Sequence, residues 1–155
     1  MSGGKWSARL SELGIELPPV VKPVAAYVPA VRTGNLVYTS GQVPMVAGEL
    51  PVAGLVGGGG VTPEQAKEMA RVCALNALAA VDSLVGLDSV VRVVKVVGFV
   101  ASAPGFHGQP GVVNGASELL GEVFGEAGAH ARSAVGVAAL PLNAPVEVEL
   151  IVEVA

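Results

Sequence analysis

Apolar residues recur along this chain with two different periods, and the changes between them mark out its elements. Trp6, Leu10 and Leu13 fall at i, i+4 and i+7 with Lys5, Arg9 and Glu12 between them, which predicts a short amphipathic helix ended by Gly14. Pro18, Pro19 and Pro23 then make an extended connector that no regular element can contain. Residues 27–32 and 36–40 are β-prone and joined by Thr33-Gly34-Asn35, which predicts a hairpin. Residues 43–55 leave room for one more short strand, and Gly57 to Gly60 form a flexible loop.

Helical periodicity returns at Thr62. Thr62 as N-cap, Pro63 at the first helical position and Gln65 at the third make a capping box. Ala66, Met69, Ala70, Cys73, Ala77, Ala80, Val81 and Leu84 form one stripe, and its alanines predict close packing on a sheet. Residues 90–101 are nearly all valine and suit a central strand buried on both faces. A second helix is expected over 110–124, with Val112, Val113, Ala116, Leu119, Leu120 and Val123 on its apolar side. Residues 131–137 and 146–154 alternate as strands, the last with Glu147, Glu149, Ile151 and Glu153 on one face and valines and Leu150 on the other. The order ββ(β)αβαββ favours an α+β fold, a mixed sheet with helices on one face, over a doubly wound one.

The 155 residues are expected to form one domain, with a helical extension over about residues 1–17. Apolar residues are 52% of the chain and charged ones only 14%, so a compact fold is expected and part of its surface should be covered in a homo-oligomer. The longest stretch without Lys, Arg, Asp or Glu, 96–117, is broken by prolines, glycines, Asn114 and His107, which excludes a membrane helix there. The first residues lack the apolar run of a secretory signal, and a cytosolic protein is expected. A net charge of -4 without a basic run argues against nucleic acid as the main partner. The single cysteine, Cys73, excludes an internal disulfide and reads as a small buried hydrophobe. The four glycines lack the Lys-Ser/Thr of a phosphate loop.

Few residues remain to carry chemistry. His107 and His130 flank the second helix and belong to no metal or triad pattern, so both read as solvated loop histidines. The glutamates of the last strand are unusual opposite a purely apolar face, and a functional role for them requires a cation nearby. Arg132, the only Arg or Lys after Lys95, lies among the small residues Ala131, Ser133 and Ala134, where its planar fork has room to meet a carboxylate. An ordinary ion pair between Arg132 and a glutamate fits the sequence equally well.

Two segments resemble the signatures of the RidA/YjgF family, the reactive-intermediate imine deaminases also called the endoribonuclease L-PSP family. Residues 34–44, Gly-Asn-Leu-Val-Tyr-Thr-Ser-Gly-Gln-Val-Pro, are similar to its N-terminal signature. Ala131-Arg132-Ser133, followed by Leu140-Pro141 and Val146-Glu147-Val148-Glu149, is similar to its C-terminal one. The resemblance implies a chorismate-mutase-like fold assembled as a trimeric barrel with clefts between subunits. It also implies hydrolysis of enamines and imines such as 2-aminoacrylate to 2-oxo acids and ammonia, without metal or organic cofactor. Carried over by position, Arg132 would grip the substrate carboxylate, Glu147 would serve the imine nitrogen and the attacking water, and Tyr27, Ser40 and Asn114 would line the cleft. The chain departs from the pattern with Ala134 where cysteine is common, His130 where proline is typical, no aromatic residue following Asn114, and the N-terminal extension. A non-catalytic trimer binding carboxylate metabolites stays open as an alternative, as does an endoribonuclease or translation inhibitor, which the acidic balance disfavours.

Overall fold

The structure, a computed structural model, describes residues 4–23 and 26–155. Eight elements build it: helix α1 (Lys5–Glu12), strands β1 (Ala30–Thr33) and β2 (Leu36–Thr39), helix α2 (Pro63–Val85), strand β3 (Val90–Ala101), helix α3 (Gln109–Phe124), and strands β4 (Ala131–Val137) and β5 (Val146–Val154). The strands form one mixed sheet in the order β1-β2-β5-β3-β4, in which only β3 and β4 run parallel, joined through α3. Residues 1–3 of the expected extension lie outside the described residues.

The predicted elements form for the expected reasons. The Thr62 hydroxyl accepts from the Gln65 amide at 3.1 Å while the Gln65 side chain accepts from the Thr62 amide at 3.0 Å, completing the capping box. The hairpin turns on Gly34 and Asn35, and Gly34 takes a φ of 57°, a conformation that costs glycine nothing. Strand β5 alternates buried and half-buried positions from end to end. Its valines and Leu150 enter a core shared with the small-residue stripe of α2 and the apolar face of α3. The two helices can approach closely because Gly115 lies against the backbone carbonyl of Lys67, and Gly98 gives Val113 of α3 room above β3.

Four expectations need correction. Residues 43–55 form no strand; only single bridges, Gln42 to Val148 and Val46 to Glu49, occur around them, because Pro44 and Pro51 cannot continue a ladder. Strand β3 is not the centre of the sheet and is buried on one face only, with Val91 and Val94 exposed on the chain; β5 holds the centre. Leu84, placed in the core stripe, is exposed in the last turn of α2, beyond the reach of the sheet. The first strand also begins later than expected, at Ala30.

Helix α1 docks through a clamp supplied by a distant residue. The Asp88 carboxylate accepts from the backbone amides of Gly4, Trp6 and Ser7, each at 2.9 Å, and from the Ser7 hydroxyl, so it caps a helix start that has no side-chain cap of its own. Trp6 seals the contact by donating from its ring nitrogen to the Val90 carbonyl at 2.8 Å and meeting Phe124 edge to face. The Ser7 hydroxyl bond is the main reason the Asp88 carboxyl lies below its ordinary value; partial burial opposes it, and the amides of Ser7, Gly4 and Trp6 reinforce it. A carboxyl depressed by folding stabilises above its unfolded pKa and loses that contribution as pH falls through the folded one. Acidification through this window is therefore expected to release α1 before the sheet unfolds. A red shift of the fluorescence of Trp6, the only tryptophan, checks it, and Asp88→Ala should show the same shift at neutral pH.

Candidate functional site

Between β2 and β5 the backbone pairing breaks and then resumes. After Tyr38 pairs with Ile151, the next amide of β5, Leu150, donates to the Thr39 hydroxyl at 3.0 Å instead of to a strand carbonyl. Gln42 then rejoins the sheet through two backbone bonds with Val148, at 2.8 and 3.0 Å. Ser40 and Gly41 are thus pushed out of the ladder beside Glu147. Ser40 uses this position to hold a neighbouring segment, since its amide and hydroxyl donate to the Pro29 and Val28 carbonyls. Behind the bulge, the buried Asn76 of α2 donates from its amide nitrogen to the carbonyls of Val43 and Met45, both at 3.1 Å, and so shapes the following loop.

A cavity of about 320 Å³ results, with Glu147 on its wall together with Tyr27, Gly41, Met45, Leu142 and Lys22. Glu147 is half-buried, and its carboxyl is raised above the ordinary value, first by desolvation and then by the like charge of Glu149 two residues on. Space for the carboxylate depends on Gly41. A methyl group there would lie 2.8 Å from Cδ of Glu147 and closer still to Oε2. Gly41→Ala is therefore expected to displace the carboxylate while leaving the fold intact, because the clash falls on the movable end of a side chain. The prediction is a large fall in any activity that uses Glu147 with a Tm within a few degrees of wild type, checked by activity assay and calorimetry.

A second cluster lies on the opposite face of the sheet. Arg132 of β4 pairs with Val96 of β3, which pairs in turn with Leu150 of β5, and Val96 and Leu150 both point into the helix-covered core. The arginine, half-buried on this edge strand, therefore leans towards α3. Its Nη1 donates to Asn114 Oδ1 at 2.8 Å and to the Ser117 hydroxyl at 3.2 Å, and its Nη2 to the Pro110 carbonyl at 3.3 Å. Among the described residues no acceptor is bonded to Nε, so the Nε edge of the guanidinium is the side left for a carboxylate. His130, expected as a solvated loop residue, is half-buried and bonded to Ser117, with Nε2 at 2.9 Å from its hydroxyl. His107 is exposed.

The residues singled out in the sequence thus fall into two groups. Glu147 and Tyr27 share one cavity, with Ser40 at its margin, while Arg132 and Asn114 share the other cluster. Glu147 pairs with Phe99, three residues along β3 from the Arg132 partner Val96, and projects from the helix-free face. In one chain the arginine therefore has no part in the raised carboxyl of Glu147. Sequence reasoning missed Asn76, although an asparagine between Cys73 and Ala80 in a helix's apolar stripe is a visible signal of a buried polar contact. It also missed Ser117 and Lys22, for which no signal existed. Among the described residues no group of His, Cys, Asp and Glu is arranged to hold a metal, and no helix is long and apolar enough to cross a membrane.

This fold and these segments define a family. The model described as Endoribonuclease L-PSP matches residues 19–154, and the chain belongs to that family, also known as RidA/YjgF. Over 161 residues it is 41% identical to Protein TCP17 of Trypanosoma cruzi, with 99% of this chain and 96% of that protein covered. The crystal structure of Atu1372 from Agrobacterium tumefaciens, described as of unknown function, is similar at 48% identity and a TM-score of 0.87, covering 96% of this chain and 91% of that one. A structure from Shewanella oneidensis, proposed to be an endoribonuclease, is similar at 32% identity and a TM-score of 0.91, covering 97% of this chain and all of its own.

Proposed function

We propose that the protein hydrolyses small imines and enamines that carry a carboxylate, giving 2-oxo acids and ammonia, in clefts between the subunits of a homotrimer. The observation that carries this reading is the guanidinium of Arg132, tethered by three acceptors with its Nε edge left to receive a carboxylate. Glu147 supports the second half of the reaction. A carboxyl whose pKa is raised by partial burial both takes and returns protons near neutrality more readily than an exposed one.

In this scheme Arg132 and Asn114 hold the substrate end, and Glu147 removes a proton from water as its oxygen bonds to the imine carbon. The same carboxyl returns that proton to the nitrogen to give the amino alcohol, then takes the hydroxyl proton and passes it to the amino group, so that the carbon–nitrogen bond breaks with its electron pair leaving on ammonia as the carbonyl forms. An enamine needs one earlier step, protonation at the terminal carbon, to reach the imine. The imine carbon is already electrophilic, so orientation and proton transfer suffice without a strong nucleophile or a cofactor.

Because Arg132 and Glu147 project from opposite faces of one sheet, a cleft that uses both takes the arginine cluster from one protomer and the glutamate cavity from the next. The helix-free face supports such an assembly. Val97 and Phe99 are only half-buried there, and Val135 and Tyr38 are exposed, an apolar surface that a neighbouring sheet would cover. The test is the decay of imino acids freshly generated from several amino acids by an amino-acid oxidase, together with sedimentation. Faster release of ammonia by a trimer supports the reading; an unchanged decay rate across all the imines sinks it.

A further inference from the structure

His130 and Ser117 form a directed chain of hydrogen bonds that ends on Arg132. His130 Nδ1 lies 2.6 Å from the Gly128 carbonyl, and an oxygen without hydrogen can only accept, so Nδ1 carries the proton. In the neutral ring Nε2 is then an acceptor, and the Ser117 hydroxyl at 2.9 Å must donate to it. With its hydrogen committed to the ring, the Ser117 oxygen turns its lone pairs to Nη1 of Arg132 at 3.2 Å. Every bond points the same way, from guanidinium to hydroxyl to imidazole, and each polarises the next. Three separate pieces of chain, α3, β4 and the loop before β4, supply its members.

The geometry points to Ser117 and His130 as positioning residues for the Arg132 guanidinium, an inference that rests on the carboxylate-binding role proposed for that arginine. Without Ser117 the guanidinium keeps the Asn114 bond on Nη1 and the longer Pro110 carbonyl bond on Nη2, two contacts on its terminal nitrogens that leave its plane less firmly fixed. Ser117 adds a second acceptor on Nη1, and His130 keeps the Ser117 oxygen accepting. Nη1 is then held by two acceptors, and the Nε edge is the side left for the ligand.

Ser117→Ala is expected to raise KM for an imino acid, and Kd for 2-oxobutanoate, by about 5-fold, the effect of one modest hydrogen bond, with kcat changed far less. Two variants of His130 separate the chain from a purely structural role. Glutamine reaches the Nε2 position and can accept from Ser117, while asparagine reaches only the Nδ1 position and can bond only Gly128. His130→Gln should keep a near wild-type KM and His130→Asn should match Ser117→Ala; the opposite order, or an unchanged KM in Ser117→Ala, overturns the inference. Nitrogen-15 NMR of the trimer's side chains gives a readout independent of turnover. If the wild type neither binds 2-oxobutanoate nor turns over imines, the proposed function fails on its own. In that event an Arg132 Nε–H signal that gains motion in Ser117→Ala and His130→Asn, but not in His130→Gln, still upholds the positioning chain, and equal motion in all of them overturns it.

Discussion

Glu147→Gln is expected to lower kcat for imine hydrolysis by about 10²- to 10⁴-fold, the range lost with a general acid–base group, without lowering stability. The second half of this prediction comes from the sign of the pKa shift. A carboxyl whose folded pKa lies above its unfolded value stabilises fully below the unfolded pKa, and that contribution is lost as pH rises through the folded one. At neutral pH the ionised, half-buried Glu147 therefore costs stability, and the neutral amide removes that cost. A Tm equal to or above wild type, measured beside the lost turnover, separates chemistry from folding. The acid limb of the wild-type activity profile should lie above the ordinary carboxyl range. It should move down in Glu149→Gln, because the like charge that helps hold Glu147 up has gone. A Glu147→Gln enzyme that retains its kcat would remove the carboxyl from the mechanism.

Arg132→Ala is expected to lower kcat/KM by roughly 10- to 150-fold, the equivalent of losing charge-assisted bonds of about 1.5–3 kcal/mol, mainly through KM. Its more informative use is in mixture with Glu147→Gln. In a closed ring with head-to-tail contacts each cleft takes one patch from one subunit and a different patch from the next. Chains of the two variants, unfolded together and reassembled in equal amounts, would then combine an intact arginine cluster with an intact glutamate cavity in about one cleft in four. At substrate concentrations well below KM, activity should rise from about a tenth of wild type or less in each variant alone to at least about a quarter in the mixture. If one protomer supplied both residues to its own cleft, no mixed assembly would contain an intact site and the mixture would stay as inactive as its parents. The prediction follows from strand register: neighbours in a ladder share a face, and Arg132 aligns with Val96 and Leu150 while Glu147 aligns with Phe99.

Much of this molecule was legible in local pattern. The capping box at Thr62 and Gln65, the small-residue stripe of α2 and the strict alternation of β5 each occur within a few residues of sequence, and each formed as written. The exceptions are physical too. Leu84 keeps the helical spacing of its stripe but lies past the end of the surface that the stripe packs on, so periodicity alone could not tell that it is exposed. The valines of β3 suggested two buried faces, yet one of them is covered in this chain only in part.

What the sequence determined by itself was most of the inventory of elements, the inward and outward faces of β5, and the short list of charged residues able to meet a carboxylate. These rest on interactions between residues a few positions apart, which period and capping chemistry encode directly. Tertiary structure alone decided that the Ser40–Gly41 bulge opens a cavity for Glu147, that Asn76 shapes the loop beyond it, and that His130 reaches Arg132 through Ser117. It also put the arginine and the glutamate on opposite faces of one sheet. Those relations depend on strand order and on register across distant segments, and no spacing along the chain records which strand lies beside which.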